Sequence, residues 1–118
     1  MLRKFLEMVL LAQGFAVTVA ENADQARVLL ADGTTADLLF SDVRMAGSMD
    51  GLQLARWARE HRPAMAVLLQ TGFTELLTGD FTVLLKPYAP EELLAAIAAE
   101  LHRERRSEAT SAGSIPCR

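Results

Sequence analysis

The sequence predicts one α/β domain built on an open parallel sheet, and three observations predict it. Short apolar runs at 36–42, 65–71 and 81–87 are rich in Leu, Val and Phe, the composition of strands buried on both faces. Helix-like stretches lie between them, and strands alternating with helices form parallel βαβ units with right-handed crossovers. At 118 residues, 51% apolar and 23% charged, the chain can build one hydrophobic core but not two.

The elements follow in order. Leu2, Phe5/Leu6, Val9 and Leu10 fall at helical spacing, which predicts an amphipathic helix over about 2–12 that ends at Gln13-Gly14, where glycine takes the left-handed cap. Phe15–Ala20 reads as a strand by its β-branched content. Asn22 can cap a second helix through Ala23–Leu30, ended by Asp32-Gly33. After the run that closes on Asp42, residues 44–50 form a loop and Gly51–Glu60 a third helix, which Pro63 prevents from continuing. Gly72–Asp80 leaves room for at most two helical turns. Pro90 opens a last helix, with Glu91 and Glu92 favourably placed against its N-terminal dipole and Leu93/Leu94, Ile97/Ala98 and Leu101 as its apolar stripe. Residues 1–106 are thus read as the domain. Residues 107–118, small, polar and aperiodic, are read as a disordered tail.

Several function classes drop out. A net charge of −3 does not suit a polyanion binder, and Arg103, Arg105 and Arg106 read as a solvated helix end, so no nucleic-acid partner is expected. Glu7 interrupts the N-terminal apolar stretch, which argues against a signal peptide. No apolar run approaches the roughly 20 residues of a membrane span, so no membrane association is expected. The lone Cys117 allows no intrachain disulfide, and the expected location is the cytoplasm. The glycines of 47–51 fit neither a Walker loop nor a dinucleotide fingerprint. His61 and His102 have no metal partner at ligand spacing.

The candidate site comes from where the apolar runs end. Asp42, Thr71 and Lys86 each close one, and in an open α/β sheet the ligand crevice lies beyond the carboxyl ends of the strands. A carboxylate, a hydroxyl and an ammonium would then meet on one rim, with the chemistry to hold a phosphoryl group.

Ser41-Asp42-Val43-Arg44-Met45, Met49-Asp50-Gly51-Leu52, Leu69-Gln70-Thr71-Gly72-Phe73 and Leu85-Lys86-Pro87-Tyr88 occur in this order. With these motifs the chain resembles, over about residues 2–104, the receiver domain of two-component response regulators. In flavour it is closest to receivers of hybrid sensor histidine kinases. The resemblance implies a flavodoxin-like, doubly wound parallel sheet. It further implies that Asp42 accepts a phosphoryl group from a histidine kinase or phosphotransfer protein, and that Thr71 and Lys86 contact the phosphoryl oxygens. Asp42 and the backbone carbonyl of Arg44 would hold Mg²⁺, and the Lys86–Pro87 bond would be cis. Such a domain is a phosphoacceptor rather than an enzyme. Its last strand and helix offer a face for a homodimer.

The chain departs from this family at its start. The first strand and the acidic pair that follows it would precede Leu2, and neither is present, so the expectation is an N-terminally incomplete receiver with a weak metal site. The residue three before Lys86 is Val83, where many receivers carry an aromatic. The alternative is a pseudo-receiver, not phosphorylated, that serves as a protein interaction module. A flavodoxin-like enzyme is the third reading, and the sequence offers it no nucleophile–base pair.

Overall fold

The computed structural model describes residues 2–44, 49–73, 79–107 and 116–117. Along the chain run α1 (Leu2–Ala12), β1 (Ala16–Val17), α2 (Ala23–Ala31), β2 (Leu38–Asp42), α3 (Gly51–His61), β3 (Ala66–Thr71), β4 (Thr82–Leu85), α4 (Pro90–Ser107) and β5 (Pro116–Cys117). The sheet order is β1-β5-β2-β3-β4, and every pairing is parallel.

Strand alternation divides the interior into two layers. Leu39 of β2 and Val67 and Leu69 of β3 face α2 and α3, where Leu30, Leu54, Ala55 and Ala58 are buried. Leu38, Ala66 and Leu68 face the other way, onto Leu6 and Leu10 of α1 and Leu93, Ile97 and Leu101 of α4. All six residues of β3 are buried, which is why its sequence shows no polar alternation.

The helix ends form as the sequence predicts. Gly14 and Gly33 have φ of 92° and 95°, the left-handed conformation that only glycine adopts cheaply. The N–H groups of Phe15 and Thr34 reach back to the carbonyls of Leu10 and Leu29, closing a Schellman-type cap at each site. At the start of α2 the Asn22 side chain accepts the Gln25 N–H. Asp50 and Gln53 form a reciprocal capping box on α3, each side chain accepting the other's backbone N–H. Trp57 is partly buried against the core and stacks on His61, with ring centroids 4.6 Å apart.

Two expectations need correction. The strand expected over Phe15–Ala20 is only Ala16–Val17. Residues 18–20 have the right composition but, among the described residues, no neighbouring strand at their level, and ladder pairing is what defines a strand. Pro116 and Cys117, expected in a tail without structure, instead pair with Ala16 and Val17 on one side and with Leu38 on the other. They supply a short strand in the interval between β1 and β2, where backbone groups would otherwise face each other across a gap. Residues 45–48 of the expected loop, 74–78 of the expected short helix and 108–115 of the expected tail lie outside the described residues.

Candidate functional site

The site is assembled by strand ends. β2 and β3 pair in register from Leu38↔Ala66 to Asp42↔Gln70. The Val43 N–H then continues the ladder by donating to the Gln70 carbonyl at 2.8 Å. β4 pairs with β3 up to Thr71↔Leu85, and the Lys86 N–H donates to the Thr71 carbonyl at 2.7 Å. Asp42, Thr71 and Lys86 therefore end three adjacent parallel strands at the same edge of the sheet.

Two of these side chains meet directly. Lys86 Nζ lies 2.8 Å from Asp42 Oδ1, in an ion pair whose side chains are about a third exposed, 32% and 39% respectively. The Lys86–Pro87 peptide is cis. Thr71 is buried, and its Oγ1 accepts the Phe73 N–H at 3.2 Å. A hydroxyl that accepts one hydrogen bond still has its own proton to donate. The Arg44 guanidinium sits 5.1 Å from the Phe73 ring centre, a cation–π contact that joins the segment after β2 to the segment after β3.

Three further residues shape this rim, and the sequence reading gave them no role there. Gly51, at the start of α3, packs against the end of β2. A Cβ at that position would lie 1.6 Å from the Asp42 carbonyl oxygen, so only glycine fits. Its own N–H donates to the Val43 carbonyl at 2.9 Å. The Tyr88 hydroxyl donates to Gln70 Oε1. Burial pushes the Tyr88 phenol up to about 12, and the nearby Asp42 carboxylate adds to the shift. The signal for Gly51 was the Asp50-x-x-Gln53 box, which marks the helix start. For Tyr88 and Gln70 no local pattern exists, because their contact joins separate strands.

Asp42 is the carboxylate the fold brings to Lys86. Asp50 is taken up in capping α3, and Asp37 stands at the opposite end of β2, where its carbonyl accepts the Ala66 N–H. Among the described residues no group of three His, Cys, Asp or Glu side chains could hold a metal ion. Mg²⁺ is usually held by one or two carboxylates, water and phosphate oxygens. Asp42, partly exposed at the rim, supplies one such carboxylate. Among the described residues no helix is long and apolar enough to cross a membrane.

Comparison with known proteins points the same way. The family model for the response regulator receiver domain matches residues 1–98. PetR of Rhodobacter capsulatus is 39% identical over 119 residues, covering 95% of this chain and 48% of that protein. The DNA-binding transcriptional regulator NtrC of Salmonella typhimurium is 33% identical over 103 residues, covering 81% of this chain and 22% of that protein. The chain thus spans from about a fifth to about half the length of these curated relatives. Among solved structures, a response regulator receiver protein from Sinorhizobium medicae superposes with a TM-score of 0.76 at 30% identity, covering 84% of each chain. A CheY-like receiver domain protein from Methanospirillum hungatei gives 0.78 at 22% identity, covering 88% of this chain and 87% of that one, and shows the shared fold.

Proposed function

This chain belongs to the response regulator receiver family, and on that premise we propose that Asp42 is its phosphoacceptor, supplied by a histidine kinase or a phosphotransfer protein. Receiver domains are regulatory modules that interact with such donors. The observation that carries the proposal is the Asp42–Lys86 ion pair at the strand-end rim, beside the Thr71 terminus.

The transfer follows from the groups in place. An Asp42 carboxylate oxygen attacks the phosphorus of a phosphohistidine. An O–P bond forms while the N–P bond breaks, and the imidazole nitrogen keeps the bonding pair and takes up a proton from solvent. The product is an acyl phosphate. Phosphoryl transfer is largely positioning and charge neutralisation. The Lys86 ammonium, which already neutralises the carboxylate, passes to a phosphoryl oxygen as negative charge accumulates there. The Thr71 hydroxyl donates to another. That pull acts through Oγ1 on the Phe73 N–H, and so on the segment that carries the Arg44–Phe73 contact, which gives the charge event a mechanical outlet.

Receiver domains generally bind Mg²⁺ at the phosphorylation site. Asp42 and the Arg44 carbonyl are the oxygens this chain would bring to it, and no step above is routed through the ion. The test is incubation of the full chain with acetyl phosphate or a phosphorylated kinase, with and without Mg²⁺, read by intact mass. Wild-type protein gains one phosphoryl group, labile to hydroxylamine, and Asp42→Asn gains none. An adduct that persists in Asp42→Asn refutes the assignment.

Among the described residues no group of three His, Cys, Asp or Glu could hold a metal ion, and a second reading is a pseudo-receiver that binds a partner without being phosphorylated. In that case no adduct forms with any donor, and Asp42→Ala keeps the partner complex intact.

A further inference from the structure

Gln70 is a buried amide near the end of β3, a strand otherwise apolar up to that point. A buried polar group needs a hydrogen-bond partner, and the Tyr88 hydroxyl supplies one to its Oε1. Stability alone does not call for such a pair, since replacing both partners with apolar groups of the same shape is nearly neutral. Its position gives it another use.

Asp42, Gln70 and Leu84 are level with one another across β2, β3 and β4. Side chains two residues apart share a face of the sheet, so Asp42 follows Leu38 and Phe40, Gln70 follows Leu68, and Lys86 follows Leu84. The residues they follow all pack in the layer of α1 and α4. The Lys86–Asp42 ion pair thus crosses β3 on the side where Gln70 lies. The segment that carries Lys86 is tied to β3 at successive residues. The Lys86 N–H donates to the Thr71 carbonyl at 2.7 Å, and the Tyr88 hydroxyl donates to Gln70 Oε1. Beyond Tyr88 the chain enters α4, where the Ala89 N–H donates to Glu92 Oε1 at 2.7 Å.

We propose that Tyr88 is a positioning residue for phosphoryl transfer: its hydrogen bond to Gln70 holds the 86–88 segment so that the Lys86 ammonium stands at Asp42. A lysine needs such help. Its ammonium is a point charge on a flexible four-carbon stem, with none of the fork geometry that orients an arginine, so its aim must come from the backbone that carries it. The backbone bond of Lys86 fixes one end of the segment, and the Tyr88 bond fixes the other. Misplacing the ammonium by even about 1 Å weakens its hold on the charge that builds on the phosphoryl oxygens. This role presupposes Asp42 as the phosphoacceptor, and the two assignments can fail separately.

Tyr88→Phe keeps the ring and removes the hydroxyl, and Gln70→Leu removes the acceptor from the other side. The full chain is treated with acetyl phosphate and followed by intact mass. Each variant should lower the limiting rate of acyl phosphate formation by about tenfold and leave the half-saturating concentration unchanged, the mark of an interaction used in the transition state. In a Lys86→Met background Tyr88→Phe should cost nothing more, because it acts through the ammonium. A separate readout needs no phosphorylation. Lys4 and Lys86 are the chain's lysines, so protein isotope-labelled at lysine Cε gives a Lys86 NMR signal with Lys4 as its reference. In Tyr88→Phe the Lys86 signal should move toward its position in Asp42→Asn while that of Lys4 stays. An unmoved Lys86 signal overturns the proposal whatever the rate does. So does an unchanged limiting rate, or an equal loss of rate in the Lys86→Met background. Where wild-type protein takes up no phosphoryl group, the phosphoacceptor assignment fails, and the Lys86 signal alone decides whether Tyr88 positions the ammonium.

Discussion

Lys86 Nζ and Asp42 Oδ1 stand 2.8 Å apart although they belong to β4 and β2, which lie on opposite sides of β3. The contact reaches across the end of the buried central strand, so two fixed ladders set its geometry. Because the pair is about a third exposed, removing it should cost less than about 1 kcal/mol of stability. Lys86→Met should therefore melt close to wild type in denaturant. Its rate of acyl phosphate formation should fall by about 10²-fold, the usual loss when a charge-stabilising donor is removed from a transition state. Time courses by intact mass measure the second effect.

Gly51→Ala should behave in the opposite way. The new methyl group would sit 1.6 Å from the Asp42 carbonyl oxygen and 2.7 Å from its carbon. These are backbone atoms that no rotamer change can move. Either α3 or the end of β2 must shift, with a loss of about 3 kcal/mol. The melting temperature should fall by on the order of 10 °C or more, and calorimetry of the variant checks it.

Tyr88 is the one tyrosine in the chain, so the ultraviolet titration of tyrosinate reads it without interference. The folded midpoint should lie at about 12, against about 10 in the unfolded chain. With the folded value raised, this phenol's contribution to stability is fully present below pH about 10 and is lost as pH rises from about 10 through about 12. Asp42→Asn should lower the midpoint but not return it to the unfolded value, because burial is the larger cause.

A further prediction concerns the outer side of the sheet. Thr82 Oγ1 donates to Glu100 Oε2 at 2.6 Å, and Glu100 is buried. Hydrogen bonds to charged groups are worth more than neutral ones, and Thr82→Val removes this donor while keeping the side chain's shape. The expected cost is about 1.5–3 kcal/mol, measured as a lower denaturation midpoint. Glu100→Leu paired with Thr82→Val should recover part of it, since the buried acid is then gone.

What was legible in the sequence was whatever a local pattern controls. Asp42, Thr71 and Lys86 could be found because each ends a run of buried-strand residues. Gly14 and Gly33 could be found because a helix end needs a residue that tolerates positive φ. Pairing was not legible. The stretch 18–20 has strand composition, but among the described residues no strand lies beside it. Pro116–Cys117 has no strand periodicity, yet the interval between β1 and β2 accepts it. Gly51 opposite Asp42, and Tyr88 against Gln70, are contacts between distant segments that no window along the chain contains.

β4 is the outer strand of the sheet, four residues long and only partly covered. A bare outer strand is an invitation for another molecule to extend the sheet and begin aggregation. Here the free ladder is cut short by Lys86, whose charge is held inward by Asp42, and by Pro87, which has no N–H to offer a neighbour. The same dipeptide that brings an ammonium to the rim thus also closes the molecule's border against runaway self-association.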